Sequence, residues 1–377
     1  MDYEALEAEL DSRDAAAFVH VGDRFDDDLR YLTRFSGPDR EYAFVYDGED
    51  GEAVLCAPRL FEAQARREFS GTVVSAAEQD ATTAGQRAAE LVSGTVLVPR
   101  SIPHAAAVWL EEGGCDIESS AIVSRMRARK TEGEIDRIRA VQGSARVGMA
   151  RAETVLASAG INGEALEWEG EALTTERLRR EADAAMAREG VAPAGNTVIG
   201  AGESCADLHF TGDVPIEAGE TVLLDLSPRG PAGYYGDLSR TFVVDPEGGW
   251  ERRAYVAVER AREAALDALS EGAGTLATAV HEETAAEIAA YGFRPDGSPG
   301  FTHGTGHGVG MSLHEAPSLR TDTELAAGTV LTVEPGVYDP REGGVRIEDL
   351  VVVREEGIEI PVEYPRSLVP QVRSFGP

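Results

Sequence analysis

Two distant segments of this chain are written on one plan. Ala218-Gly219 leads into Thr221-Val222-Leu223 and reaches Asp225; Ala327-Gly328 leads into Thr329-Val330-Leu331 and reaches Glu334, with the same step of six residues from glycine to carboxylate. Each is followed by a turn rich in Gly and Pro and then by a second carboxylate in a strand-like run, Asp237 in one copy and Glu348 in the other. Two similar hairpins predict a duplicated half-domain in which each half contributes an acidic pair. A glycine turn entering an apolar strand is also common in unrelated β proteins, so the echo gains weight only from what its carboxylates can do.

The chain has 377 residues, well above the usual ~150 per domain, which predicts two domains. Residues 1–124 alternate short apolar runs (42–46, 53–56, 95–98) with helical patches, the rhythm of an α/β domain. Residues 125–139 are strongly charged, and Thr131 with Glu134 three residues on has the capping-box form, so a long helix should start near Glu132. The boundary is expected just before it, giving domains 1–124 and 125–377. Helical patterns over 174–188 and 250–269 and strand-like blocks at 221–227, 239–244, 329–333 and 345–353 make the second domain α+β.

Charge narrows the partners. With 67 acidic residues against 35 basic ones the net charge is −32, which repels nucleic acid and anionic membrane. Lys130 is the sole lysine and the other basic residues are arginines; an acid-rich, lysine-poor surface suits concentrated salt, and we read it as a halophile's. Cys56, Cys115 and Cys205 are far apart, as in a reducing compartment. The N-terminus is acidic, and no apolar stretch approaches 18 residues, so a cytoplasmic location is expected.

Among so many acids, the informative ones break a pattern. Asp225 interrupts Val-Leu-Leu-Asp-Leu and Glu334 ends Val-Leu-Thr-Val-Glu, both inside runs that read as buried β. A buried carboxylate is costly unless paired or bound to a metal. Of seven histidines, three (His303, His307 and His314) fall in one Gly-rich stretch, HGTGHGVGMSLH. Its alternating glycines disfavour a helix and predict a loop or irregular strand. Four carboxylates and an imidazole form a mixed O/N set suited to two divalent ions such as Mn²⁺, Co²⁺ or Zn²⁺, which can activate a shared water and hold a developing oxyanion. The chemistry expected is hydrolysis.

These residues resemble the creatinase/methionine-aminopeptidase superfamily of pita-bread metallopeptidases, and most closely its Xaa-Pro dipeptidase (prolidase) and aminopeptidase P branch. The likeness rests on residues 222–244, 303–317, 332–338 and 343–353, while Tyr31–Gly37 (YLTRFSG) is similar to the YLTGFSG segment of prolidase-like N-terminal domains. It implies a creatinase-like α/β domain followed by a pseudo-twofold catalytic domain, a homodimer, and hydrolysis of the bond before proline in a peptide substrate. By this resemblance Asp225 chelates one metal, His307 and Glu334 bind the other, and Asp237 and Glu348 bridge them. His314 resembles the histidine that polarises the substrate carbonyl, His209 the one near the leaving proline nitrogen, and Glu334 the proton shuttle. His303 matches a group lining the pocket. Arg346 would orient a carboxylate ligand or hold a substrate carboxyl, and Tyr338 would hydrogen-bond in the pocket or simply pack. Related small-amide hydrolases of the ectoine-derivative type, methionine aminopeptidases and non-catalytic binding proteins share the fold and stand as alternatives.

The chain departs from the family pattern in three places. Asp225 and Asp237 are one residue further apart than is usual, so the hairpin must absorb it in its turn or a bulge if Asp237 is to face the site. The family's Gly-Pro-Asn-x-Ala-x-x-His approach reads Gly202-Glu203-Ser204-Cys205-Ala206-Asp207-Leu208-His209, which bears on substrate preference. Residues 163–170 look like an acidic insertion.

Overall fold

The computed structural model describes residues 3–75 and 82–374. The chain forms two compact units, 1–127 and 128–377. A short helix runs from Ile122 to Ala128, with Arg127 paired to Asp28.

In the first unit, strands β1 (Ala17–Gly22), β2 (Tyr42–Asp47), β3 (Glu52–Ala57), β4 (Thr72–Ser75), β5 (Thr95–Val98) and β6 (Asp116–Ser119) form one sheet in the order β4-β3-β2-β1-β5-β6. Helices α1 (Glu4–Ser12), α2 (Asp27–Thr33), α3 (Glu62–Glu68), α4 (Ala84–Ala89), α5 (His104–Glu112) and α6 (Ile122–Ala128) complete it. Alternate residues of β1 and β2 (Val19, Val21, Ala43, Val45) pack with Ala88 of α4 and Leu110 of α5. Period-2 alternation thus gives the sheet its helix-covered face. The YLTRFSG segment ends α2, and Arg34 caps it in the left-handed region with φ 55°.

The second unit repeats one order twice: two helices, then antiparallel strands. The first half has α7 (Glu132–Ser158), α8 (Thr175–Arg188) and the sheet β10 (Thr197–Ala201), β11 (Thr221–Leu226), β12 (Leu238–Val243). The suspected insertion between its helices is a small antiparallel sheet of β7 (Gly160–Asn162), β8 (Ala165–Trp168) and β9 (Glu171–Ala172). The second half has α9 (Trp250–Ala268), α10 (Ala277–Ala290) and β13 (His307–Gly308), β14 (Glu315–Ser318), β15 (Val330–Val333), β16 (Gly336–Asp339), β17 (Gly343–Arg346), β18 (Asp349–Val353) and β19 (Ile358–Glu359). Its main sheet runs β14-β13-β15-β18-β19, with β16 and β17 paired apart.

Helix α7 starts at Glu132 as the sequence predicts. Glu134 accepts the Thr131 N–H at 2.9 Å, and its other oxygen takes the Tyr234 hydroxyl at 2.6 Å.

The echo noticed in sequence is structural. Gly219 and Gly328 both enter their strands in the left-handed region, at φ 84° and 87°, where glycine carries no Cβ penalty. In β11, Val222, Leu224 and Leu226 face a core shared with α7 and α8, so Asp225 projects from the opposite face. In β15, Leu331 and Val333 enter a core with α9 and α10. Each fully buried Val or Leu contributes about 1.5–3 kcal/mol, which fixes the register and with it the direction of the acids.

Candidate metal centre

Asp225 and Asp237 come from one hairpin. Its pairing runs unbroken from Thr221↔Val243 through Leu226↔Leu238 to the bridge Arg229↔Tyr235. No bulge intervenes, so the extra residue lies in the turn, where the Gly230 N–H donates to Tyr234 O and the Gly233 N–H to Gly230 O. Asp237 is therefore opposite Ser227, one pleat from Asp225, and faces the same side. The Ser227 hydroxyl is 2.8 Å from Asp237 Oδ1 and 3.2 Å from Asp225 Oδ1. Gln142 of α7 clamps the Asp237 backbone twice: its Nε2 donates to Asp237 O and its Oε1 accepts the Asp237 N–H, both at 2.7 Å.

The second half supplies the other ligands. Glu334 immediately follows β15, and its N–H donates to Thr305 O at 2.8 Å. Glu348 precedes β18; its carboxylate accepts the Ser239 hydroxyl at 2.6 Å. The Gly-rich stretch is not a helix: it threads β13 between β14 and β15. A Cβ on Gly306 would fall 1.9 Å from Thr332 O and one on Gly308 2.3 Å from Ala316 O, so only glycine permits this approach. The His307 N–H donates to Thr332 Oγ1 at 3.0 Å, which fixes the imidazole with Nε2 3.3 Å from Glu334 Oε1 and 3.8 Å from Asp237 Oδ2.

The five expected ligands thus converge. Oxygens of Asp225, Asp237 and Glu348 all lie within 4.8 Å of one another. Asp237 is 4% exposed and Glu348 2%. Burial first, and then the neighbouring carboxylates, hold both carboxyls well above their usual range. The cation in direct contact is Arg346, whose guanidinium donates to Asp225 Oδ2 at 2.6 Å, Ser239 Oγ at 3.0 Å and the Tyr338 hydroxyl at 2.9 Å. One guanidinium against four buried or half-buried carboxylates leaves an excess of negative charge, which is the environment divalent cations neutralise. The donor set therefore fits such ions.

A cavity of about 570 Å³ opens onto this cluster. The five ligands, His209, His303, His314 and Arg346 line it. Burial pushes the imidazoles of His303, His307 and His314 below their ordinary value, keeping them neutral. The His307 and His314 ring centroids are 4.3 Å apart. Tyr338, for which a pocket role and simple packing were both open, is packed behind the wall at 2% exposure. Burial pushes its hydroxyl up to about 12. It accepts from Arg346 and lies 2.8 Å from His303 Nε2, while His303 Nδ1 lies 2.8 Å from Gly304 O. Donation then runs Arg346 to Tyr338 to His303 to Gly304, which orients His303. Arg346 meets Asp225, an expected metal ligand, and so orients a carboxylate.

Sequence reasoning missed Gln142 and the two serines. Ser227 and Ser239 each lie two residues after an acid, so strand periodicity alone could have put them on the acids' face. It also missed Arg320, which lines the cavity and pairs with no carboxylate among the described residues. No sequence signal separates it from the other arginines.

The family model described as metallopeptidase family M24 matches residues 136–355. A Xaa-Pro dipeptidase of Pyrococcus furiosus is 36% identical over 182 residues, 47% of this chain and 50% of the relative. The chain spans about half the length of the curated relatives it matches. Among solved structures, a prolidase from Pyrococcus horikoshii OT3 superposes with a TM-score of 0.82 at 24% identity, covering 97% of this chain and 99% of that one. A dipeptidase PepE from Mycobacterium ulcerans does so with a TM-score of 0.78 at 26% identity, covering 97% and 95%. The fold is thus an N-terminal α/β domain followed by the pita-bread catalytic domain. The chain belongs to metallopeptidase family M24.

Proposed function

We propose that this protein is a dinuclear-metal-dependent Xaa-Pro dipeptidase, with residues 1–124 as its N-terminal domain and 125–377 as its catalytic domain. The observation that carries the reading is the convergence of three buried or half-buried carboxylates, Asp225, Asp237 and Glu348, with His307 and Glu334 at the floor of one cavity. These five would hold two divalent ions (Mn²⁺, Co²⁺ or Zn²⁺). When bound, such ions supply Lewis acidity and a water acidic enough to act as nucleophile near neutral pH.

The chain's own groups do the rest. His314, kept neutral by burial, and His209 face the cavity and are suited to hold the substrate's carbonyl and the nitrogen of the departing proline. Glu334 accepts and returns a proton in the reading proposed here. Arg346 is committed to Asp225 and Tyr338, so it keeps a ligand in place and is not available to a substrate carboxyl. Arg320 takes that role: a guanidinium on the cavity wall that pairs with no carboxylate among the described residues suits the C-terminal carboxylate of a dipeptide, which favours dipeptidase over aminopeptidase. Proline's imide lacks an N–H, so the site need offer no acceptor there.

Relatives named Xaa-Pro dipeptidase support the substrate class. We further propose a homodimer, on the family resemblance, working in a salt-rich cytoplasm, on the charge and the three buried thiols. No helix is long and apolar enough to cross a membrane among the described residues. The test is hydrolysis of Gly-Pro, Ala-Pro and a longer Xaa-Pro-Xaa peptide in molar KCl, with and without Mn²⁺ or Co²⁺. Metal-dependent cleavage of the two dipeptides alone is expected. Cleavage of the longer peptide as well makes it an aminopeptidase, and no cleavage of any moves the reading to another small amide.

A further inference from the structure

The single lysine of the chain is buried. Lys130 is 6% exposed, whereas every other basic side chain is an arginine. Its backbone sits on the turn that enters β15: the Lys130 N–H donates to Gly328 O at 2.8 Å, and a Cβ on Gly328 would fall 2.6 Å from the Lys130 carbonyl. From there Nζ reaches Glu315 Oε1 at 2.8 Å and Ala128 O at 3.3 Å.

Glu315 follows His314 directly, and the segment before it is folded around its carboxylate. The Ser312 N–H points at Glu315 Oε2 at 3.3 Å, the Gly310 N–H donates to Ser312 O at 3.1 Å, and the Tyr235 N–H donates to Gly310 O at 2.9 Å. A side chain at Gly310 would strike Glu315, with its Cβ 2.2 Å from Oε1. Leu313 and His314, on the outer side of this small ring, line the cavity.

The choice of lysine has a physical reason. A guanidinium is planar, wider, and carries five donors in a fixed fork. In a buried slot beside the Ala128 carbonyl and the Glu315 carboxylate, it would need more room than a compact ammonium does. We infer that Lys130 is a positioning residue: through Glu315 it pins residues 310–315 and so sets His314 and Leu313 at the cavity wall. The consequence for turnover rests on the proposed peptidase function; the structural role does not.

The experiment compares full-length Lys130→Met, Lys130→Arg, Glu315→Gln and the double variant Lys130→Met/Glu315→Leu, which replaces the pair by apolar groups so that no charge is stranded. Hydrogen exchange of the Gly310 and Ser312 amides is read beside that of β11 and β12, together with kcat and KM on Gly-Pro and bound Mn²⁺. In Lys130→Met these amides should exchange at least about tenfold faster with β11 and β12 unchanged, and kcat should fall about 10–100-fold at full metal content. Lys130→Arg should fail to restore either, and the double variant should lose no more kcat than Lys130→Met alone. Wild-type exchange and kcat in Lys130→Arg or Lys130→Met overturn the inference, as does acceleration spread evenly over the domain. If the wild type cleaves no dipeptide, the peptidase reading fails, and the exchange result alone decides the role of Lys130.

Discussion

Replacing Gln142 by Met tests how the long helix α7 builds the site. The substitution keeps the side chain's length but removes both bonds to the Asp237 backbone, each 2.7 Å. Because Asp237 is 4% exposed, its N–H and C=O are stranded away from water, at about 1–3 kcal/mol apiece. The two losses together put the cost at about 2–6 kcal/mol. At ~2–4 °C per kcal/mol for a domain of this size, Tm should fall by at least about 4 °C. Asp237 is also an expected metal ligand, and loosening the group that aims it should weaken Mn²⁺ binding about 10–100-fold. Scanning calorimetry of the metal-free and Mn²⁺-loaded forms, with titration calorimetry of Mn²⁺ into metal-free protein, reads both effects. A variant with the wild-type Tm and affinity would refute the claim that α7 holds Asp237 in place.

Further outcomes follow from the same geometry. Folded Asp237 and Glu348 bind protons more tightly than they do unfolded, so their stabilisation is complete below about pH 4 and is lost as pH rises through their folded values. Metal-free protein should accordingly lose Tm with rising pH more steeply than the Mn²⁺-loaded form, and Mn²⁺ uptake should release protons, detectable by calorimetry in buffers of different ionisation enthalpy; uptake without proton release contradicts the raised values. Arg320→Met should raise KM for Gly-Pro about tenfold or more while kcat changes little, because the lost contact is made equally in ground and transition states; an unchanged KM removes Arg320 from substrate binding. Arg34→Gly, at φ 55°, should stabilise the protein by about 0.5–1 kcal/mol in urea titrations, and a destabilised variant would mean that its side chain contributes more than the backbone strain costs. Finally, the net charge of −32 predicts a Tm that climbs from dilute buffer to molar KCl as repulsion is screened; equal stability in both ends the halophile reading.

Asp225, Glu334 and His307 were legible because they break the local pattern, Asp237 and Glu348 because they follow in the repeated hairpins, and their roles as ligands came from the family resemblance. Asp225 and Glu334 interrupt apolar strands, and three of the seven histidines crowd one glycine-rich stretch, which marks chemistry in a chain where acids are otherwise everywhere. The capping box at Thr131 and the glycine turns before β11 and β15 are short-range signals, and the structure keeps them. What escaped depends on partners remote in sequence. Gln142 meets Asp237 95 positions on. For Tyr338 the sequence leaves a pocket role and packing open, and only the fold sets its hydroxyl between His303 and Arg346. The extra residue of the Asp225–Asp237 hairpin was visible, but its harmless location in the turn required the register.

Crystals grown with Mn²⁺ and measured at the manganese absorption edge test the central claim most directly. Two anomalous peaks a few ångströms apart are expected, together contacted by Asp225, Asp237, His307, Glu334 and Glu348, with metal analysis giving two ions per chain. Peaks located elsewhere on the molecule, or none at saturating Mn²⁺, would contradict it.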